Sequence, residues 1–326
     1  MNKIKKIGVL TSGGDSPGMN AAIRAVTRAG LYNKLEVVGI MHGYHGMINA
    51  HFKKLESPMV SDIIQKGGTI LKSTRDEEFK TEKGRKKAYD SLKKDNIDGV
   101  VVIGGDGTFK GAKTFTEEFD IPVIGIPGTI DNDLYGTDYT IGYDSALNTI
   151  VTAVDKIRDT ASSHNRLFFV EVMGRDAGFL ALRSGIACGA EAILIPEVDR
   201  DVQSLREYLK QSYRRKKYSN IIIVSEGDES GGAFKIANKT KNEFPQYDTR
   251  VTVLGHIQRG GCPSAFDRVT ASKMGIAAVD ALLDNQNSIM IGMMNREVVQ
   301  ISFNKTVKHH KNINLDLLNM IQILSI

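Results

Sequence analysis

Cysteine is almost missing from this chain, and long apolar runs are missing altogether. The two cysteines, Cys188 and Cys262, lie too far apart in sequence to read as a disulfide framework, so a reducing cytoplasm is expected. No apolar run approaches the roughly 18 residues a membrane span needs. The opening Met-Asn-Lys-Ile-Lys-Lys leads directly into residues 7–10, an apolar stretch too short for a signal peptide. Fixed-period repeats, low-complexity tracts and an obvious linker are also lacking. Excess charge is modest: 43 Lys and Arg against 38 Asp and Glu leave +5. That balance fits a solvated surface, with arginines available for small anions. A nucleic-acid partner is not expected. The basic run at 214–217 is short, and no recognised nucleic-acid module surrounds it.

What remains is ordinary for a globular protein: 41% hydrophobic and 25% charged residues in 326, enough for about two domains. Short apolar runs at 7–10, 37–40, 100–103, 123–126, 167–172, 192–195, 221–224 and 251–254 read as buried strands. Helical spacing over 21–31, 145–160 and 266–283 separates some of them, and 315–324 reads as a packing helix. Alternation of this kind predicts parallel sheets flanked by helices. Two domains without a linker imply that the chain crosses between them more than once.

Three strand ends carry polar loops. The run at 100–103 enters Gly104-Gly-Asp-Gly-Thr108, and the run at 123–126 enters Pro127-Gly-Thr-Ile-Asp-Asn-Asp133. Loops at the carboxyl ends of strands are where open α/β sheets bind ligands. An acidic residue between glycines, Asp106, can hold Mg²⁺ beside a cradled polyphosphate. The string also resembles the one in NAD kinases and lipid kinases, so it leaves the acceptor open. Asp131 is suited to take a proton from an attacking alcohol, with Thr129 orienting that alcohol. Thr11-Ser-Gly-Gly-Asp-Ser-Pro-Gly-Met-Asn20 follows the first strand. It is either a phosphate-approaching loop or a plain turn capped by Ser16 or Asn20. Neither Gly-x-Gly-x-x-Gly nor Gly-x-x-x-x-Gly-Lys-Ser/Thr is present there.

Arginines recur near strand ends: Arg166, Arg175 after Met173-Gly, Arg250, and Arg259 in Gly255-His-Ile-Gln-Arg-Gly-Gly261. Guanidinium grips phosphate bidentately, so the set suits an acceptor that already carries a phosphate. Glu226 follows the strand at 221–224. His42 and His45 lack a further ligand cluster and read as structural.

These strings together resemble the bacterial ATP-dependent 6-phosphofructokinases, from Ile7 to about Met294. The resemblance implies two Rossmann-like three-layer α/β domains with mainly parallel sheets, the chain crossing back to the first. It places an ATP-binding domain at 1–140 plus 257–305 and a fructose 6-phosphate-binding domain at 141–256 plus 306–326. Gly14, Thr74, Arg75, Gly105, Asp106, Gly107 and Thr108 match the ATP contacts, and Asp131 the catalytic base, with Thr129, Arg75 and Arg175 assisting. Thr129, Ile130, Asp131, Met173, Gly174, Arg175, Glu226, His256, Ile257, Gln258 and Arg259 match sugar-phosphate contacts. Arg166 and Arg250 match arginines contributed by a neighbouring subunit, which implies a homotetramer. Arg24, Arg28, Arg158, Gly189, Glu191, Arg215 and Lys217 match an effector site for ADP or phosphoenolpyruvate. Ser57 and Ser219 depart from that pattern. Asp106 and Glu191 match Mg²⁺ ligands. Gly107 and Gly128 stand where pyrophosphate-dependent relatives carry Asp and Lys, so ATP is the expected donor.

Overall fold

Every apolar run named above overlaps a strand of the computed structural model, with 192–195 and 251–254 each running one residue past it; the structure describes residues 4–164, 166–198, 202–214, 220–227, 231–314 and 316–324. The strands are β1 (Lys6–Thr11), β2 (Glu36–Ile40), β3 (Phe52–Lys54), β4 (Gly99–Gly104), β5 (Val123–Pro127), β6 (Arg166–Val172), β7 (Ala192–Leu194), β8 (Asn220–Ser225), β9 (Asp248–Val253), β10 (Ile289–Met294) and β11 (Glu297–Ser302). The helices are α1 (Met19–Tyr32), α2 (Gly43–Ile48), α3 (Glu82–Lys94), α4 (Asp106–Glu118), α5 (Tyr143–His164), α6 (Phe179–Ala187), α7 (Val202–Arg214), α8 (Gly232–Glu243), α9 (Ala265–Leu283), α10 (Phe303–Lys308) and α11 (Asp316–Leu324). They form two units. One comprises Met1–Ser145 and Arg259–Lys311, the other Ala146–Gln258 and Asn312–Ile326.

In the first unit a seven-stranded sheet has the order β11-β10-β5-β4-β1-β2-β3. Its five inner strands run parallel, while β3 and β11 close the edges antiparallel. The β4 sequence Gly-Val-Val-Val-Ile-Gly is buried throughout because both faces are covered. Val101 and Ile103 join a core with Met19, Ile23 and Val26 of α1 and Met274 and Ala278 of α9. Val100 and Val102 point the other way, toward Phe109 and Phe115 of α4, Leu92 of α3 and Phe303 of α10. Burying each such side chain contributes about 1.5–3 kcal/mol, which is why an uninterrupted Val/Ile run settles at the centre. Gly125 in β5 permits the closest packing: an added Cβ would lie 2.6 Å from Phe109 and 2.7 Å from Phe303, whose rings stack over it.

The strand order places the reversal point between β1 and β4. From β1 the chain builds outward through β2 and β3, then returns to build β4 and β5 on the other side. Polar loops leave the carboxyl ends of β1, β4 and β5 at this one edge, where such sheets bind ligands.

The second unit holds a parallel sheet of order β7-β8-β6-β9. Ile222 and Val224 of β8 pack with Ala233 and Ile236 of α8 and with Leu205 and Leu209 of α7. Ile223 points to the opposite face, toward Gly185 of α6. The result is again three layers. Its last strand, β9, is an open edge, with Asp248, Arg250 and Val253 exposed. No described helix is long and apolar enough to cross a membrane.

Candidate active site

In the first unit, parallel pairing brings the three loops into contact. Ser12 donates its N–H to Ile103 O at 2.9 Å, and Thr108 Oγ1 donates to Ser12 O at 3.2 Å. Gly128 N–H reaches Gly104 O at 2.9 Å. A Cβ on Gly105 would sit 3.5 Å from Thr129. Gly105 is the N-cap of α4 and supplies no side-chain acceptor, so the N–H groups of Asp106 and Gly107 are left without a side-chain cap, while Thr108 N–H turns back to Gly105 O at 3.0 Å. That end favours anions through its dipole and its unsatisfied donors.

Asp131 is 2% exposed and sits in a braced turn. Its N–H approaches Thr129 Oγ1 at 3.3 Å. Thr140 Oγ1 donates to Thr129 O at 2.6 Å, while Thr140 N–H reaches Asn132 Oδ1 at 2.9 Å. Asn132 adopts a left-handed φ of 53°, a conformation Asn accepts more readily than most residues. Ile130 is fully buried.

Arg75 lies in an irregular segment whose neighbour Ser73 donates Oγ–H to Gly13 O at 2.5 Å. Arg75 is exposed, and among the described residues its guanidinium has no hydrogen-bond or ion-pair partner. Arg259 lies over Gly14, where an added Cβ would meet Nη1 at 2.5 Å, and it donates to Asp15 O at 3.2 Å. Gly14 thus admits a guanidinium. Asp106 opens α4 with its carboxylate 2.6 Å from Lys110 Nζ, both side chains more than a third exposed. Neither Ser16 nor Asn20 caps α1. The N-cap is Gly18, and the Asn20 amide instead holds the backbone of Lys66, Gly67 and Ile70.

In the second unit the polar residues gather at two opposite ends of β6. At the carboxyl end, Glu226 Oε1 accepts the N–H groups of Gly174 (3.3 Å) and Arg175 (2.9 Å). Arg175 is held at φ 52°, a left-handed strain of the kind that collects at functional sites. Gln258 is fully buried: its Oε1 accepts Met173 N–H at 3.1 Å and its Nε2 donates to Gly255 O. It therefore ties Met173 to the 255–258 turn, leaving His256 and Ile257 exposed. At the amino end, Arg166 meets Asp248 at 2.9 Å and Arg250 meets the same carboxylate at 3.0 Å. The Arg166 hydrogen bond, with Arg250 beside it, holds the Asp248 carboxyl below its ordinary pKa. Arg166 and Met173 stand seven residues apart, roughly 23 Å along a strand.

Residues 6–282 match the family model described as phosphofructokinase. The chain belongs to the phosphofructokinase family. It is 58% identical over its whole length to ATP-dependent 6-phosphofructokinase 2 of Bacteroides thetaiotaomicron, which it covers completely. It is 55% identical over 99% of its length to the ATP-dependent 6-phosphofructokinase of Cytophaga hutchinsonii, covering 98% of that protein. Among solved structures, phosphofructokinase from Saccharomyces cerevisiae superimposes with a TM-score of 0.87 at 36% identity. The match takes in 98% of this chain and 47% of the longer yeast chain.

The expected effector residues fall into two groups. Arg24 and Arg28 lie one turn apart on α1. Burial, with the Arg28 charge adding to it, lowers the Arg24 pKa. Arg28 Nε is buried with no hydrogen-bond partner among the described residues. Ser57, exposed at the start of a short 3₁₀ turn, belongs to the same unit. In the second unit Arg158 donates to the carbonyls of Cys188 (2.7 Å) and Gly189 (2.9 Å). Glu191 is buried, its Oε2 accepting Ile221 N–H at 2.6 Å and its Oε1 lying 3.6 Å from Arg158. Arg215, Lys217 and Ser219 lie outside the described residues.

Sequence reading missed one buried acid altogether. Asp267 on α9 accepts Gly142 N–H (2.9 Å), Ser145 N–H (2.8 Å) and Ser145 Oγ–H (2.6 Å), capping the first turn of α5. Burial, with Asp144 nearby, pushes its pKa to about 6 against the pull of those donors. Only its place three residues after Ser264, which caps α9, was a signal.

Proposed function

We propose that this phosphofructokinase transfers the γ-phosphoryl group of ATP to the 1-hydroxyl of fructose 6-phosphate, giving fructose 1,6-bisphosphate and ADP. The observation that carries this reading is the meeting of three loops at the reversal point of one sheet. A helix start suited to phosphate there adjoins a turn that holds a buried carboxylate. Asp131 takes the proton from the attacking hydroxyl, and Thr129 and Ile130 orient it. Gly14, Thr74, Arg75, Gly105, Gly107 and Thr108 hold the nucleotide phosphates. Arg75 and Arg175 offset charge on the transferring oxygens. Met173, Gly174, Arg175, Glu226, His256, Ile257 and Arg259 contact the sugar phosphate, with Gln258 holding their loops.

Asp106 is the residue that would hold Mg²⁺. Among the described residues no cluster of three His, Cys, Asp or Glu side chains could hold a metal. A lone accessible carboxylate suits Mg²⁺, which keeps waters and takes further oxygens from phosphates. Bound there, the ion would neutralise charge on the polyphosphate. At the effector site Glu191 is the residue that would add a ligand; its Oε2 also accepts Ile221 N–H and its Oε1 faces Arg158.

Gly107 supports ATP as donor. An added Cβ there meets nothing within 4 Å, so packing does not require glycine. Glycine leaves that volume, and its charge, open to a nucleotide.

The two ends of β6 support a homotetramer. A span of roughly 23 Å is too long for Arg166 and Met173 of one chain to grip one sugar phosphate. Arg166, at the start of β6, and Arg250, on the adjoining open β9 edge, therefore serve a neighbouring subunit. The crowded Arg24 and Arg28 pair supports an anionic effector, ADP or phosphoenolpyruvate. Two free thiols fit a cytoplasmic location.

A coupled assay for ADP release tests the reading. Turnover is expected with MgATP and fructose 6-phosphate and not with pyrophosphate. Equal rates with either donor, or no dependence on the sugar phosphate, overturn it.

A further inference from the structure

His45 has no part in the reading above, yet it sits where it can act on the nucleotide. The segment that carries Thr74 and Arg75 has no regular structure, and its position depends on a few tethers. Asp76, next to Arg75, is the central one. Its Oδ1 accepts Phe79 N–H at 3.0 Å, and its Oδ2 lies 2.7 Å from His45 Nδ1. The Asp76 side chain is 9% exposed. Burial alone would raise its pKa, but the His45 hydrogen bond, the Phe79 and Glu78 N–H groups and the His45 charge hold it below the ordinary range.

The residue before His45 acts on the same structure. Tyr44 stacks on Phe79 with ring centroids 3.9 Å apart, and its hydroxyl donates to Thr108 O at 2.7 Å. The short helix α2 therefore touches both the start of α4 and the segment bearing Arg75. His45 also meets Asn49 Nδ2 at 3.4 Å and the His51 ring at 5.9 Å. Neither contact supplies a carboxylate, and no metal-binding cluster forms among the described residues.

We propose that His45 is a positioning residue for ATP: by holding Asp76 it fixes the backbone on which Thr74 and Arg75 are presented to the nucleotide phosphates. The proposal rests on the assignment of Arg75 to the nucleotide. Arg75 has no partner of its own among the described residues, so its placement depends on the segment rather than on a contact of the guanidinium. A charge-assisted hydrogen bond of this kind contributes more than a neutral one.

The experiment compares His45→Leu, His45→Asn, Asp76→Asn and Arg75→Ala for KM of MgATP, KM of fructose 6-phosphate, kcat and Tm. The Asn side chain places an amide N–H near the position of Nδ1. His45→Leu is expected to raise KM for MgATP about 5- to 30-fold. The other two kinetic constants should move little. His45→Asn should recover most of the loss. Adding Asp76→Asn to His45→Leu should cost little more, because both changes break one contact. An unchanged KM for MgATP in His45→Leu overturns the proposal. So does a uniform fall in kcat and both affinities together with Tm, or His45→Asn no better than His45→Leu. If Arg75→Ala binds MgATP normally, the nucleotide assignment itself fails and the proposal falls with it. A defect in Arg75→Ala beside a normal His45→Leu rejects the proposal alone.

Discussion

At residue scale, the proposed chemistry concentrates on Asp131. Its carboxylate is buried, in a turn braced by Thr129, Asn132 and Thr140. Asp131→Asn is expected to lower kcat by about 10²–10⁴-fold, the usual contribution of a general base, with both KM values within a few-fold of wild type. Asn has nearly the same shape as Asp, so this replacement should leave the fold intact. Steady-state kinetics with a Tm control check this, and near-normal turnover would remove Asp131 as the base. The acid was legible in the string Thr-Ile-Asp-Asn-Asp. Its supports were not: Thr140 lies eleven residues from the carbonyl it binds, and nothing local marks that pairing.

At the scale of elements, most parallel strands followed from composition because central parallel strands are apolar on both faces, but β3, β10 and β11 were not among the runs read as strands. Helix contacts between distant segments did not follow either. Asp267 shows this best: α9 supplies the cap for α5, more than 120 residues earlier in the chain. Its folded pKa of about 6 lies above its ordinary 3.8. The folded state thus favours the protonated acid. That contribution to stability is complete below the ordinary value, declines as pH rises toward 6, and is absent above. The stability of wild type minus that of Asp267→Asn should fall between pH 4 and about 6 and then level off. Urea denaturation at a series of pH values measures it. A difference that grows with pH would show that the three donors outweigh burial.

At the scale of the whole molecule, the decisive feature is the separation of the two arginine groups along β6. If Arg166 and Arg250 serve a neighbour's site, two inactive variants should complement each other. Asp131→Asn and Arg250→Ala subunits, dissociated together and reassembled, are expected to regain about a quarter of wild-type sites on random pairing. Each restored site would take its acid from one chain and its arginine from another. Activity after mixing, compared with each variant treated alone, gives the answer. A mixture no more active than its parts would place all the residues of a site in one chain. In the same assemblies, ADP and phosphoenolpyruvate titrations would show whether the Arg24 and Arg28 pair answers to anions.

The linear order of residues was enough to settle the α/β class, the three strand-end loops and the residue types fit for phosphoryl transfer. These are local properties: an apolar run forms a strand, and the loop after it inherits the strand's carboxyl end. Folding alone decided which loops touch, because adjacency in a sheet follows strand order rather than sequence order. It also decided that Gln258 faces inward, that Asp267 caps a distant helix and that His45 reaches Asp76. Each of those contacts joins segments whose separation along the chain carries no signal, and it exists only because packing of the core brings their backbones together.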